Sequence, residues 1–232
     1  MSMIDDYVSL RGTRHIVNQD HGCIHHYDNN WLMVVSDGLG SKKKSQLGSY
    51  AVCEAAQKVF FQSDTEDIFF QPEQFMTLVH QEWLQQLEGE NIDDCSATVL
   101  ILALLKNRGI AIQLGDGFIS ILADGMSYIL LDDKTEHYIN ETDCFERNFD
   151  PSLLRYTVFD FDVFQCALLC SDGVEIGEMT KPDIEGFSRN FYDSFRELDR
   201  GTVKHKVRQW LKHWPGSDDK TTVYLISQGD SV

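Results

Sequence analysis

The sequence predicts an α+β fold built on antiparallel sheets. Short apolar runs follow one another with turn residues between them, as consecutive hairpins would, while amphipathic helices come in pairs. A nucleotide-binding βαβ fold would alternate the two. Several apolar runs also end in an aspartate followed by glycine, which places carboxylates at the ends of strands.

Taken in order, residues 7–12, 22–27 and 31–36 read as strands, short apolar runs bounded by turn residues. A helix is expected over 45–61, where Leu47, Ala51, Val52, Ala55, Ala56, Val59 and Phe60 recur at three and four residues. A second, over 72–88, stacks Phe75, Leu78, Val79, Trp83 and Leu87, with Pro72 suited to its first turn. Strands resume over 97–105, 109–114, 118–122 and 127–131, with turns at Asn107-Arg108-Gly109 and Ala123-Asp124-Gly125. Residues 132–162 are irregular and polar, and a long loop of this kind is expected to be functional. A strand over 163–171 precedes helices over 183–195 and 202–214. The latter places Val203, Val207, Trp210, Leu211 and Trp214 on one face, and a strand over 221–226 follows. Linkers, low-complexity tracts and tandem repeats are missing from the pattern, so residues 1–232 read as a single domain.

Composition narrows the function. At 42% hydrophobic and 25% charged, the 232 residues fit a soluble globular protein. No apolar run reaches the roughly 18 residues of a membrane span. The acidic start, Met1-Ser2-Met3-Ile4-Asp5-Asp6, lacks the features of a signal peptide, so a cytoplasmic location is expected. Cys23, Cys53, Cys95, Cys144, Cys166 and Cys170 form no Cys-x-x-Cys pair, and they read as small buried hydrophobes. A formal net charge of −17 argues against binding the backbone of a nucleic acid.

The chemistry is carried by Ser36-Asp37-Gly38, Gly115-Asp116-Gly117 and Ser171-Asp172-Gly173. An aspartate at a strand end is held by a rigid element, and converging carboxylate oxygens suit hard divalent cations. Asp-Gly is equally a hairpin turn with no chemistry attached. That alternative is strongest at Asp116, because an apolar run resumes at once with Phe118.

Together these motifs resemble the metal-dependent protein phosphatases, the serine/threonine phosphatases of the 2C type, and within them the bacterial branch. Gly12-Thr13-Arg14-His15 with Asn18-Gln19-Asp20 resembles the branch's first motif. Val34-Val35-Ser36-Asp37-Gly38-Leu39-Gly40-Ser41, followed by Leu47-Gly48, resembles the first metal-binding strand end and its helix. Cys95-Ser96-Ala97-Thr98 stands at the family's Gly-Thr-Thr strand start, and Leu114-Gly115-Asp116-Gly117 matches its Gly-Asp turn. Tyr138-Ile139-Asn140-Glu141-Thr142, Leu169-Cys170-Ser171-Asp172-Gly173-Val174 and Asp218-Asp219-Lys220-Thr221-Thr222-Val223 complete the set. Each motif alone is weak; seven in register along most of the chain are specific.

The resemblance implies two packed antiparallel sheets flanked by helices, a four-layer α-β-β-α sandwich, with two Mn²⁺ or Mg²⁺ ions at one end. It implies hydrolysis of phosphoserine and phosphothreonine by a water shared between the ions, with no phosphoenzyme. Asp37 matches the bridging ligand, with the Gly38 carbonyl beside it. Asp172 and Asp219 match ligands of one ion, and Asp20 supports the other. Asp116 matches the position of a third, weaker ion. Of the Asp218-Asp219 pair, the spacing to Thr222-Val223 favours Asp219. Arg14 is the candidate for gripping phosphate, one residue further from Asp20 than the family's usual spacing. Lys43, within Lys42-Lys43-Lys44, is the candidate for attracting a phosphopeptide, with a plain solvated loop as the alternative.

Two departures from the family stand out. Gln19 replaces a glutamate, as in the bacterial branch. Leu39 stands where animal members carry a histidine proposed to protonate the leaving group. The expected partner is a phosphorylated protein, the target of a partner Ser/Thr kinase, with no nucleic acid or membrane involved and the chain a monomer. A catalytically inactive binding module and a phosphatase of small phosphoesters are the competing readings.

Overall fold

The computed structural model describes residues 2–62, 71–132, 142–174 and 179–228. Along the chain run β1 (Met3–Leu10), β2 (His21–Tyr27), β3 (Asn30–Ser36), α1 (Ser45–Gln62), α2 (Pro72–Gln86), β4 (Val99–Leu105), β5 (Arg108–Leu114) and β6 (Phe118–Ala123). Then come β7 (Met126–Leu131), β8 (Arg155–Asp160), β9 (Phe164–Cys170), α3 (Lys181–Phe195), α4 (Arg200–His213) and β10 (Lys220–Ser227). The strands form two five-stranded antiparallel sheets, in the orders β1-β10-β9-β6-β7 and β2-β3-β4-β5-β8.

Side-chain alternation along each central strand builds the layers. In β3, Met33 and Val35 face the other sheet, meeting Leu169, Val223 and Leu225. Leu32 and Val34 face the opposite way, toward Ala51, Val52, Ala55, Ala56 and Phe60 of α1 and Phe75, Val79 and Trp83 of α2. The other sheet repeats the scheme, with Leu168, Tyr224 and Ile226 packed beneath Ile184 and Phe191 of α3 and Val203, Val207 and Leu211 of α4. Both faces of β4 are therefore covered and all seven of its residues are buried, which is why Val99 to Leu105 is an uninterrupted apolar run. The result is the four-layer α-β-β-α sandwich that the sequence predicts.

Local chemistry sets the helix boundaries. Pro72 opens α2, and a capping box between Thr180 and Asp183 opens α3, with Pro182 in its first turn. Among the described residues, no helix is long and apolar enough to cross a membrane.

Three expectations need correction. β8 lies inside the stretch read as irregular, where it forms the edge beside β5. Leu47 and Leu78, assigned to the buried helix faces, stay 37% and 42% exposed. The third concerns Gly115-Asp116-Gly117, for which a hairpin turn was one reading. Because β5 and β6 belong to different sheets, this segment is the crossing from one sheet to the other. Both glycines take a positive φ, +93° and +91°, a region that side chains with a Cβ rarely enter. The buried Gln113 amide, donating to the Gly115 and Gly117 carbonyls at 2.9 Å each, holds the crossing shut.

Candidate active site

The site lies where the loop between β1 and β2 meets the ends of β3 and β9 and the start of β10. Asp37 follows the last residue of β3, and Thr98 clamps it. The Asp37 N–H donates to Thr98 Oγ1 at 3.0 Å, the Thr98 N–H donates to the Asp37 carbonyl at 2.8 Å, and Ser36 Oγ reaches the Thr98 carbonyl at 2.6 Å. The Gly38 N–H is tied to the Gln19 carbonyl at 3.1 Å. The Asp37 carboxylate thus projects from backbone fixed on several sides.

Two other carboxylates meet it. Asp37 lies within hydrogen-bonding reach of Asp20 and of Asp172, so it stands between them. Burial, followed by the charges of Asp20 and Asp172, pushes the Asp37 carboxyl well above the ordinary carboxylate range. Burial also raises Asp20 to about 6, although hydrogen bonds from its neighbours favour its charged form. Ser171 Oγ donates to Asp20 Oδ2 at 2.7 Å, while Asp20 Oδ1 is buried with no partner. Among the described residues no three such side chains already converge on a common point. The carboxylates form a chain with Asp37 in the middle.

Asp172 starts a short turn after β9, next to Gly173. A Cβ on Gly173 would fall 1.7 Å from the Asp219 carbonyl oxygen, so glycine is what lets the Asp172 turn approach the start of β10. Asp116 sits in the sheet crossing, where Thr142 donates to its Oδ2 at 2.9 Å. Of the predicted 138–142 motif, only Thr142 lies within the described residues.

Asp219, just before β10, is held by three hydrogen bonds. It is 2% exposed, and its oxygens are taken by protein donors. The Gly12 N–H reaches Oδ1 at 2.6 Å, and the Gln19 N–H and His15 Nδ1 reach Oδ2 at 2.7 and 2.8 Å. Its carboxylate ties the 12–19 loop to β10. Asp218 is 44% exposed and lies 3.6 Å from His15 Nδ1.

The basic candidates lie at the rim. The Arg14 side chain is exposed, and its N–H is anchored to the Ser217 carbonyl at 3.2 Å. The lysine run is divided: Lys42 lies 3.7 Å from Glu146 and Lys44 pairs with Glu90, whereas Lys43 is exposed. Gln19 donates to Ser45 Oγ at 2.7 Å, leaving its buried Oε1 without a partner. Sequence reasoning includes His15, Ser171 and Thr98 in its motifs but gives them no role. Their neighbours in sequence are the only local signal, since their partners lie 204, 151 and 61 positions away.

The sequence profile of the family described as protein phosphatase 2C matches residues 11–212. Among solved structures, the chain resembles the serine/threonine phosphatase Stp1 from Staphylococcus aureus, with a TM-score of 0.71 at 13% identity over 99% of this chain and 96% of that one. It is similar to the catalytic domain of the serine threonine protein phosphatase PstP in complex with two manganese ions, with a TM-score of 0.69 at 16% identity over 98% and 100%. PppA from Pseudomonas aeruginosa gives 0.68 at 16% identity over 97% and 98%. At these identities the likeness is one of fold. No curated protein sequence matches the chain.

Proposed function

Because this chain belongs to the protein phosphatase 2C family, we propose that it is a metal-dependent phosphatase of phosphoserine and phosphothreonine in proteins. The observation that carries the proposal is the chain of carboxylates Asp20, Asp37 and Asp172, centred on Asp37 at the buried end of β3. Adjacent carboxylates repel one another and lose hydration on burial, so together they are costly unless cations or protons neutralise them.

The donor set fits two hard divalent ions. It is all oxygen, and the buried Asp20 Oδ1 lacks any partner from the protein. Asp37 would be shared between the ions with the Gly38 carbonyl beside it, Asp172 would serve one ion and Asp20 the other. Asp219 would join Asp172 on one ion, and Asp116 remains the candidate for a third, weaker site. Bound there, Mn²⁺ or Mg²⁺ would supply a water acidified enough to be a nucleophile near neutral pH, and charge to neutralise the phosphate. PstP with its two manganese ions and Stp1 support the cofactor and the substrate class by similarity.

The chain's own residues do the positioning. Thr98 and Ser36 fix the Asp37 backbone, Ser171 orients Asp20, and Asp219 holds the loop that carries Gln19 and Asp20. Arg14 and Lys43, exposed at the rim, would attract and grip the phosphorylated segment. We take residues 1–232 as one domain acting as a cytoplasmic monomer opposite a Ser/Thr kinase.

The test is hydrolysis of p-nitrophenyl phosphate and of a phosphothreonine peptide by metal-stripped protein, before and after adding Mn²⁺ or Mg²⁺. Turnover should require the metal and vanish in Asp172→Ala. Folded protein with no turnover on either substrate and either metal would defeat the proposal and favour a binding module.

A further inference from the structure

Helix α4 reverses the charge balance of the chain. Against 37 acidic and 20 basic residues overall, its segment Arg200–His213 carries Arg200, Lys204, Lys206, Arg208 and Lys212 and no carboxylate. Val203, Val207 and Leu211 bury one face beneath the sheet, so the basic residues fall outside it and are exposed. Lys204, Arg208 and Lys212 recur every four residues and share one ridge.

Only the far end of this ridge is neutralised by the protein. Arg200 lies 3.2 Å from Asp5 and Lys204 2.8 Å from Asp6, both on β1. Among the described residues, Lys206, Arg208 and Lys212 have no ion pair. Like charges four residues apart on a helix repel, so the ridge costs stability where it is left unpaired. The helix dipole favours cations in the last turn, which accounts for Lys212 and leaves Arg208 unexplained.

The ridge also leads to the active site. Asp6 stands four positions before Leu10, which pairs with Lys220 at the entrance to β10. β1 covers that stretch in about 13 Å, and α4 rises about 12 Å from Lys204 to Lys212. The two run the same way, because just past α4 the Trp214 indole N–H donates to the Val174 carbonyl at 2.8 Å, two residues from Asp172. Lys212 is therefore level with the site end of the sheet, and Arg208 and Lys204 extend away from it.

We propose that the exposed face of α4, from Lys212 back to Lys204, docks an acidic segment of the phosphoprotein substrate flanking the phosphorylated residue. This rests on the phosphatase reading above. Charge complementarity selects the occupant. A short acidic segment on the ridge lies within the Debye length of about 10 Å from Arg208 and Lys212. A long polyanion such as a nucleic acid would extend over the rest of a chain whose net charge is −17.

The test uses the full chain holding Mn²⁺ and phosphothreonine peptides with an acidic run on the N-terminal side, on the C-terminal side, or on neither. At low salt, one acidic peptide should have a KM about three- to tenfold below that of the neutral one, the range of two exposed ion pairs. Arg208→Gln/Lys212→Gln should erase that preference while the neutral peptide's KM stays within about 1.5-fold. Glutamine is as good a helix former as the residues it replaces, so the helix is kept. Salt at about 0.5 M should erase the preference in wild type, a check that needs no variant.

A wild type indifferent to the acidic run would overturn the proposal, as would a double variant that keeps the preference. So would single-stranded DNA displacing the acidic peptide at a lower charge concentration than the peptide itself, or a dimer that the two substitutions dissolve. If wild type hydrolyses none of the peptides, the phosphatase reading falls separately. Fluorescence anisotropy of the labelled acidic peptide then decides on α4 alone, and equal affinity for wild type and double variant would reject the docking face.

Discussion

Ser171 donates its hydroxyl hydrogen bond to Asp20 Oδ2 at 2.7 Å, joining the residue after β9 to one 151 positions earlier. This bond holds one oxygen of Asp20 and leaves Oδ1 as the atom without a partner. Outer partners of this kind commonly govern metal affinity by about 10- to 100-fold. Ser171→Ala should therefore weaken Mn²⁺ binding by about tenfold in a calorimetric titration, with the fold intact by circular dichroism. Unchanged affinity would take Asp20 out of the metal centre.

Asp37→Asn removes the carboxylate that stands between the other two. Turnover of p-nitrophenyl phosphate should fall by at least about a thousandfold, the order seen when a principal electrostatic group is lost. Full activity in this variant would reject Asp37 as the shared ligand.

The buried carboxylates also predict how metal-free protein responds to pH. Burial lifts Asp20 to about 6 in the fold against an ordinary value of 3.8, so between those values the folded state holds the extra proton. Stability then falls as pH rises through that window and levels off above it. The stability of wild type relative to Asp20→Asn, measured by urea unfolding in chelator, should decline from pH 4 to 6. Saturating Mg²⁺ should remove the decline, because a cation favours the ionised form. A flat difference would mean that Asp20 is not held at a raised value.

Gly173→Ala places a methyl group 1.7 Å from the Asp219 carbonyl oxygen, where backbone on both sides has to move. A destabilisation of about 1–3 kcal/mol is expected in denaturant melts, the range for overpacking. Activity should fall with it, because Asp172 is displaced. An equally stable, active variant would show that the approach of the turn to β10 is looser than described.

At the rim, Lys43→Ala should change KM for a phosphopeptide less than about twofold, as expected of an exposed charge in salt. Arg14→Ala should raise KM more than it alters Mn²⁺ affinity. Equal effects of both on KM at low and high salt would argue against electrostatic attraction at this edge.

Much of this architecture can be read from one-dimensional pattern, and the failures have physical causes. Strand and helix positions follow from periodicity, and the apolar run Val99 to Leu105 announces a strand covered on both faces. Asp37 and Asp172 are legible as strand-end carboxylates because each follows an apolar run and precedes glycine. The crossing at Asp116 is not, since a run that resumes at Phe118 looks alike whether β6 returns to the same sheet or enters the other. β8 was hidden because an edge strand with half-exposed residues carries little apolar signal. The tie from Asp219 to Gly12, His15 and Gln19 is not legible either, because those partners lie about two hundred positions away and a carboxylate carries no sign of which N–H groups it will meet.

β10 enters its sheet between β1 and β9, the strand from the far end of the described chain wedged between two made earlier. It also carries the Asp219 anchor for the loop of Gln19 and Asp20 at its entrance. A chain emerging from the ribosome as far as β9 would have β1 without its neighbour and the 12–19 loop without its anchor. The sheet and the loop that carries Gln19 and Asp20 would be completed together, by the same late strand.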